Sequence, residues 1–170
     1  SIAKPNIAIL TGANEQHLAT FGSMENLLSA EGGIELLESL PPDGTAIFNG
    51  SNKYTQELYE KSTISRKILS GKDIRAENLR VERERVSFNL VSSQENVAIA
   101  ANLLGGYNTE NLLLAIAGAK ELGISLQEIA DACRAIPPEL GAMKLKKGIH
   151  GLNIIDATYS ANPDGVLAGL

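Results

Sequence analysis

The sequence predicts an α/β fold built on a mixed, mostly parallel sheet. Two continuous apolar runs of strand length, residues 5–11 and 45–49, are each followed by a polar loop and then by a helical pattern. Strands of a parallel sheet are covered on both faces and have such continuous runs. A third run, residues 152–156, ends on an acid and leads through a Pro-Asp-Gly turn into the start of another helix. Open α/β sheets bind ligands at the carboxyl ends of their strands, so we expect functional residues in these loops.

Length and charge limit the classes of function. The 170 residues, 44% of them hydrophobic, are enough for one core and the start of a second. A net charge of −5 argues against a protein that binds DNA or RNA, because phosphate recognition needs a clustered basic surface. The single cysteine, Cys133, cannot form an internal disulfide and is typical of a reducing cytoplasm. No apolar run is long enough to cross a membrane. We therefore expect a cytoplasmic protein that binds no nucleic acid and does not insert into a membrane.

Helices alternate with strands in the first section. After the first strand, the apolar spacing of residues 24–40 predicts an amphipathic helix with Gly32 and Gly33 in its middle. A glycine inside a helix costs about 1 kcal/mol relative to alanine, so the pair either breaks this helix or permits a close backbone approach. A Pro-Pro-Asp-Gly turn precedes the second strand, and residues 54–61 predict a short helix behind it.

The pattern changes after residue 62. Residues 63–69, 83–91 and 96–104 have β-propensity with partial alternation of apolar and polar side chains. They predict an antiparallel or mixed extension of the sheet. The alternating charges of residues 80–85 indicate a solvated face.

Two helices and a connection follow. Residues 109–122 have the clearest helical stripe in the chain. Ser125 and Glu128 form a capping-box pattern that starts another helix, which we expect to end near residue 135. Residues 137–147 contain two prolines, a glycine and a lysine cluster, a composition typical of a connection between domains.

Four segments share the order and spacing of the motifs of one enzyme family. In the first, Glu15 and His17 stand shortly before Phe-Gly-Ser, and the second is Leu-Pro-Pro-Asp-Gly before the second strand. The third is Gly-Gly-Tyr-Asn-Thr-Glu-Asn, with Asn108 and Asn111 at the start of an apolar helix. The last, residues 156–164, reads Asp-Ala-Thr-Tyr-Ser-Ala-Asn-Pro-Asp. Together these segments resemble the Mur ligases, the ATP-dependent amide-bond ligases of peptidoglycan precursor synthesis, and in particular the branch that adds D-alanyl-D-alanine to the UDP-muramoyl tripeptide.

The resemblance implies a domain organisation and a mechanism. Residues 1–136 would be the downstream half of the P-loop-type central domain that binds ATP, residues 137–147 the linker, and residues 148–170 the beginning of the Rossmann-like C-terminal domain. In the family a substrate carboxylate takes the γ-phosphoryl group of ATP, and an incoming amine attacks the resulting acyl phosphate. The implied cofactors are ATP and Mg²⁺. The implied substrates are a UDP-muramoyl peptide and an amino acid or dipeptide.

Three residues are implied at the phosphoryl-transfer site. His17 matches a histidine that coordinates Mg²⁺, with Glu15 beside it as a second candidate metal ligand. Glu31 falls where the family carries a carbamylated lysine, so it is the candidate catalytic anion at that position. Oxygen ligands suit Mg²⁺ better than imidazole does. The alternatives are that His17 is an ordinary loop residue and that Glu31 lies on a helix surface.

Five further residues match nucleotide and substrate positions. Asn108 and Asn111 match the helix-start asparagines that contact the adenine side of the nucleotide, and carboxamides can donate and accept as a purine edge requires. Asp156 matches an acid of the third domain that closes onto the nucleotide. Tyr159 and Asn162 match positions near the substrates. The helix-start asparagines could equally be helix caps, and Asn162 could serve plain turn chemistry.

Several polar positions depart from the family pattern. The chain has no Gly-x-x-x-x-Gly-Lys-Ser/Thr phosphate loop, so we expect it to be inactive by itself and the loop to lie upstream. Small or less polar residues replace polar or charged ones at Gly12, Gly33, Tyr107, Ala142 and Ser160. An alternative function is therefore a divergent, non-catalytic homologue that binds a nucleotide or a partner protein, and a third is a purely structural module. Because an upstream half would supply central strands, we also expect this chain to expose apolar sheet surface and either to self-associate or to be only marginally stable.

Overall fold

The computed structural model describes residues 4–30, 33–93, 95–137 and 144–156. The predicted α/β class is confirmed, with parallel and antiparallel strands that form three sheets within these residues. The chain has two compact units. The first is made by residues within 1–75, 92–94 and 110–124, and the second by residues within 76–91, 95–109 and 125–170.

The first unit is built on a three-stranded parallel sheet. Its strands are β1 (Ile7–Leu10), β2 (Thr45–Phe48) and β3 (Arg66–Leu69), in the order β1-β2-β3. The predicted strands at residues 5–11 and 45–49 are confirmed. The assignment of residues 63–69 to an antiparallel or mixed extension is wrong, because β3 runs parallel to β2 in the same sheet. A helix between β2 and β3 makes the crossover that parallel neighbours require.

Four short helices belong to this unit: α1 (Leu18–Phe21), α2 (Met24–Ala30), α3 (Ile34–Glu38) and α4 (Lys53–Lys61). The single helix predicted at residues 24–40 is therefore two helices. Gly33 has a φ of 101°, and a β carbon there would lie 3.0 Å from the side chain of Leu10 in β1. A side chain at this position would be strained and would crowd the sheet. Gly33 therefore both separates the two helices and permits a close approach to β1, the two roles expected for the glycine pair.

The core of the first unit lies on the sheet. Ala8, Leu10, Ala46, Phe48 and Leu58 form a buried cluster. The ring of Tyr59, on α4, packs edge to face on that of Phe48 at a centroid distance of 5.5 Å. This packing fixes α4 against β2, and the first residues of α4 therefore lie near the carboxyl end of that strand.

A long helix, α5 (Asn108–Glu121), confirms the helix predicted at residues 109–122. From Glu110 onward it belongs to the first unit. A β carbon at Gly118 would lie 2.9 Å from the side chain of Ile9, so this glycine allows α5 to pack closely on β1. At the far end of the helix, Glu121 Oε2 accepts hydrogen bonds from Thr45 Oγ1 (2.8 Å) and from Arg66 Nη2 (2.7 Å).

The second unit contains a sheet of β4 (Ile74–Val81), β5 (Val86–Ser92) and β6 (Asn96–Ala101), in that order. β5 and β6 are antiparallel, as predicted, but the expectation that they extend the first sheet is wrong, because β4, β5 and β6 form a separate sheet. The helix α6 (Leu126–Arg134) packs against β6. The capping box predicted for α6 is present at Ser125 and Glu128. β4 was not predicted, because most of its residues are exposed and its charged side chains indicate solvent rather than a strand.

A two-stranded antiparallel sheet follows at the C-terminal end of the described chain. It pairs β7 (Lys144–Lys147) with β8 (Asn153–Asp156) across a single 3-10 turn. A strand was predicted here, but its prediction as buried is wrong, since Ile154 and Ile155 are 48% and 56% exposed. Residues 144–147, assigned to the predicted linker, form β7. The predicted domain boundaries themselves stay a prediction.

No helix within the described ranges is long and apolar enough to span a membrane.

Candidate functional site

Polar side chains connect the three strands of the first unit at their carboxyl ends. Asn49 directly follows β2 and is almost fully buried. Its Nδ2 donates a hydrogen bond to the carbonyl oxygen of Thr11 (2.7 Å), and its Oδ1 accepts one from the amide of Ser51 (2.8 Å). Asn49 thus links the end of β1 to the end of β2.

Ser70 makes the corresponding link to β3. Its buried Oγ accepts a hydrogen bond from the amide of Gly50 (2.9 Å) and donates one to Glu110 Oε2 (2.8 Å). A β carbon at Gly50 would lie only 1.9 Å from the carbonyl oxygen of Ser70. The backbone segments that follow β2 and β3 therefore pack against each other with no room for a side chain at Gly50. The hydrogen bond from Ser70 to Glu110 binds the first turn of α5 to the same edge of the sheet.

Asn52 connects the loop after β1 to α4. As the N-cap of α4, its Oδ1 accepts hydrogen bonds from the amides of Tyr54 and Thr55, both at 3.2 Å. The same carboxamide pairs with both backbone groups of Ala13, whose amide lies 3.4 Å from Oδ1 and whose carbonyl lies 2.9 Å from Nδ2. One side chain thus caps a helix and holds the loop that carries the predicted metal ligands.

Glu15, a predicted metal ligand, is bound by two residues of α4. Its Oε1 accepts a hydrogen bond from the hydroxyl of Tyr54 (2.6 Å) and lies 3.3 Å from the ammonium of Lys53. The hydrogen bond from Tyr54, its own backbone and then Lys53 lower the pKa of Glu15. The pKa of Lys53 is raised, first by Tyr54 and then by Glu15. Both partners favour the charged carboxylate.

His17 is exposed and has a left-handed backbone, with φ 69° and ψ 5°. Its carbonyl oxygen accepts hydrogen bonds from the amides of Thr20 (2.8 Å) and Phe21 (3.2 Å) in α1. A residue other than glycine in this region costs on the order of 1–3 kcal/mol, and such residues cluster at functional sites. This backbone is consistent with the role predicted for His17 without testing it.

The described residues do not form a magnesium site by themselves. No three His, Cys, Asp or Glu side chains among them are grouped closely enough to hold a metal ion. Mg²⁺ is usually bound by carboxylates together with substrate phosphates and water. Here Glu15, the carboxylate nearest to His17 in sequence, forms an exposed ion pair with Lys53. The metal roles of His17 and Glu15 therefore stay predictions.

The predicted nucleotide-binding residues lie in both units. Asn111 is exposed on the first turn of α5, next to Glu110, and belongs to the first unit. Asn108 is buried in the second unit at the first residue of α5, where its Nδ2 donates to the carbonyl oxygen of Leu104 (2.7 Å) and so binds the preceding loop. Asp156, also in the second unit, forms an ion pair with Lys146 in β7.

Three other predicted site residues, Glu31, Tyr159 and Asn162, lie outside the described residues. Within the first unit, the loop of Glu15 and His17 and the helix turn of Asn111 lie at the same sheet edge, where Asn49 and Ser70 connect them.

Sequence reasoning missed several residues at this edge: Asn49, Asn52, Lys53, Tyr54, Ser70 and Glu110. A signal existed for the first two, because Asn49 ends a predicted strand and Asn52 closes the Asn-Gly-Ser-Asn turn that begins there. Lys53 and Tyr54 gave no signal, because their contacts with Glu15 join residues 38 and 39 positions apart. Such contacts become visible only when β1 and β2 are paired.

Comparison with known proteins identifies the family. Residues 1–119 match the family described as Mur ligase middle domain. The chain belongs to the Mur ligase family. The predicted resemblance is thus confirmed.

Three curated relatives illustrate what this Mur ligase chain is similar to. The chain is 28% identical to the UDP-N-acetylmuramoyl-tripeptide–D-alanyl-D-alanine ligase of Haemophilus influenzae, over 99% of the chain and 37% of the relative. It is 31% identical to the ligase of the same name from Synechocystis, over 99% of the chain and 35% of the relative. It is 29% identical to the UDP-N-acetylmuramate–L-alanine ligase of Endomicrobium trichonymphae, over 98% of the chain and 37% of the relative. The chain therefore spans little more than a third of the length of these relatives.

Solved structures agree on the fold. MurF from Acinetobacter baumannii matches 98% of this Mur ligase chain and 37% of its own length with a TM-score of 0.87 at 25% identity. The MurF ligase from Thermotoga maritima, solved in complex with ADP, matches with a TM-score of 0.75 at 18% identity, over 99% of this chain and 39% of its own length, and shows the fold alone.

Proposed function

We propose that this chain is part of an ATP-dependent amide-bond ligase of peptidoglycan precursor synthesis. The match of residues 1–119 to the Mur ligase middle domain carries the proposal. Relatives named as ligases for D-alanyl-D-alanine, aligned over almost the whole chain, support that dipeptide as the unit added to a UDP-muramoyl peptide. Another amino-acid unit remains part of the proposal, because one relative is named as an L-alanine ligase. We assign the protein to the cytoplasm, where these precursors and ATP would be available.

The proposed reaction has two steps. A carboxylate oxygen of the muramoyl peptide attacks the γ-phosphorus of ATP, which releases ADP and leaves an acyl phosphate. The amine of the incoming unit then attacks the acyl carbon, an amide bond forms, and inorganic phosphate leaves. Such transfers depend mainly on the positioning of the two partners and on the charges around them.

The described residues would contribute positioning at the sheet edge. Asn111 on the first turn of α5 is the candidate for the adenine side of the nucleotide, and Ser70 holds that turn through Glu110. Asn49 and Asn52 fix the loop that carries His17. The described residues do not by themselves form a site for Mg²⁺. Magnesium dependence stays a prediction.

Because the 170 residues contain no phosphate loop, we propose that ligation needs the full-length gene product and that this chain is inactive alone. The test is phosphate release by the full-length protein with ATP, UDP-muramoyl tripeptide and D-alanyl-D-alanine. Release that requires both the peptide acceptor and the dipeptide is the expected result. Parallel assays with L-alanine and UDP-muramate identify the other named activity, and assays with EDTA measure the magnesium dependence.

A second candidate is a homologue that binds a nucleotide or a partner protein without ligating. The observation that favours it is the pairing of Glu15 Oε1 with Lys53 and Tyr54 beside His17, because the nearby ammonium repels a metal cation at this carboxylate. ATP binding by the full-length protein without phosphate release in the presence of every substrate pair would select this candidate and refute the ligase.

A further inference from the structure

Three consecutive residues at the start of α4 bind the loop that follows β1. We infer that Asn52, Lys53 and Tyr54, here called the α4 clamp, are positioning residues for His17, and that Glu15 is the anion held by the clamp and not a metal ligand. The inference rests on the proposed function only where it gives His17 a role. The clamp itself is defined by contacts within the first unit.

The first part of the clamp acts on the backbone. Asn52 pairs with both the amide and the carbonyl of Ala13 while its Oδ1 also caps α4. This double pairing fixes both the position and the orientation of the Ala13 peptide groups. Because the cap is part of α4, the loop is held relative to a helix that packs on β2.

The second part acts through Glu15. Tyr54 donates a hydrogen bond of 2.6 Å to Oε1, and Lys53 lies 3.3 Å from the same oxygen. The ammonium of Lys53 also lies 4.5 Å from the centroid of the Tyr54 ring, so the two donors support one another. The same ammonium repels a divalent cation that approaches this carboxylate.

Glu15 lies two residues before His17 and connects the backbone of His17 to α4. Its side chain is bound to α4, and its backbone carbonyl accepts a hydrogen bond from the amide of Leu18 (3.1 Å), the first residue of α1. His17 lies between these two anchors and has a left-handed backbone. The direction of the imidazole therefore depends on a peptide that Glu15 holds on one side and α1 holds on the other.

The first experiment measures the order of the loop in the 170-residue chain without nucleotide or metal. Amide hydrogen exchange at Gln16, His17 and Leu18 is followed by NMR in Glu15→Gln and Tyr54→Phe. We expect exchange to accelerate roughly two- to fivefold, the range that exposed ion pairs and hydrogen bonds produce. Unchanged exchange in both variants would overturn the clamp.

Matched controls lie on the same helix. Tyr59→Phe removes a hydroxyl that contacts Lys72, and Lys61→Met removes a lysine paired with Glu57. Neither residue contacts Glu15 in the described contacts, so the exchange at Gln16 to Leu18 should stay as in the original chain. Equal acceleration in the controls would mean that α4 is loosened as a whole, and it would also overturn the inference.

The second experiment separates a clamp anion from a metal ligand. Mn²⁺, a paramagnetic substitute for Mg²⁺, is titrated while the broadening of the His17 imidazole signals is followed in Glu15→Gln and in the double variant Tyr54→Phe/Glu57→Gln, which also loosens the clamp and loses one negative charge. If Glu15 were a metal ligand, Glu15→Gln would bind Mn²⁺ severalfold more weakly than the double variant, because only Glu15→Gln removes the ligand. The inference expects the two variants to bind Mn²⁺ equally, and weaker binding by Glu15→Gln would overturn it.

These outcomes are independent of ligation. A full-length protein that releases no phosphate would refute the proposed ligase but would leave the exchange result unaffected. Conversely, unchanged exchange would refute the clamp in an active ligase.

Discussion

Thr109, in the first turn of α5, has a buried hydroxyl without a hydrogen-bond partner among the described residues. A buried polar group left unpaired costs about 1–3 kcal/mol. We therefore expect Thr109→Val to raise the free energy of unfolding by about 1 kcal/mol, measured by urea denaturation. Thr63→Val, at an exposed position, is the control and should change little. A destabilised Thr109→Val would show that the hydroxyl is paired after all.

Ser70 has the opposite situation, since its buried hydroxyl both accepts and donates. Ser70→Ala leaves the amide of Gly50 without its acceptor and Glu110 without a donor. We expect a loss of about 1–3 kcal/mol in the free energy of unfolding, because the remaining groups stay partly buried. The exposed Ser51 provides the matched control, Ser51→Ala. Equal stability of the two variants would contradict the link between β2 and β3.

Individual site residues could be predicted only where a local motif marks them. Glu15, His17 and Asn111 were predicted because the segments around them resemble Mur ligase motifs. Lys53 was not found, since an exposed lysine at a helix start is ordinary surface chemistry in sequence. The contact of Lys53 with Glu15 forms only because β1 pairs with β2, which brings together residues distant along the chain.

At the scale of elements, α5 is bound to the parallel sheet near both of its ends, through Glu110 at one and Glu121 at the other. Glu121 accepts from the buried hydroxyl of Thr45 and from the more exposed Arg66. Glu121→Ala leaves Thr45 unpaired, so we expect a loss of about 1–3 kcal/mol in thermal or urea unfolding. Glu121→Gln keeps an acceptor and loses only the exposed ion pair, for which less than about 1 kcal/mol is expected. Equal losses of stability in Glu121→Ala and Glu121→Gln would contradict the view that the contact with Thr45 contributes more than the ion pair with Arg66.

The capping box of α6 predicts a pH dependence. Hydrogen bonds from Ser125, first through its side chain and then through its backbone, lower the pKa of Glu128 below its ordinary value of 4.5. An acid with a lowered folded pKa stabilises the fold fully above its ordinary value, and this contribution disappears as the pH falls through the folded value. Glu128→Gln should therefore be less stable than the original chain near neutral pH, and the difference should shrink on acidification. A difference that grows toward low pH would contradict the sign.

Elements with strong local signals were predicted, and their partners in the sheets were not. The stripe of α5 and the capping box of α6 are visible within one stretch of sequence. β3 was assigned to the wrong kind of pairing, because its sequence does not record that α4 makes a parallel crossover. β4 was missed because its exposed, charged residues give no alternation. β8 was expected to be buried because apolar residues in a short strand are read as core, yet it pairs only with β7 in the described chain.

At the scale of the whole chain, β1 pairs only with β2 within the described residues, and Ile9 in its centre is 38% exposed. An apolar edge strand is a template for further pairing. We expect the 170-residue chain to self-associate as its concentration rises, as measured by size-exclusion chromatography with light scattering. A monodisperse monomer at every concentration, with a high unfolding midpoint, would contradict this expectation.

The left-handed backbone of His17 changes how a mutational scan of this loop must be interpreted. Alanine rarely adopts such a φ, so His17→Ala would remove an imidazole and also tilt the main chain toward another conformation. Asparagine tolerates the left-handed region and carries no imidazole, which makes His17→Asn the fairer substitution. If His17→Gly retained more activity than His17→Ala, the activity lost in the alanine variant would come partly from the changed backbone conformation. An alanine scan alone would then overstate how much activity depends on the imidazole.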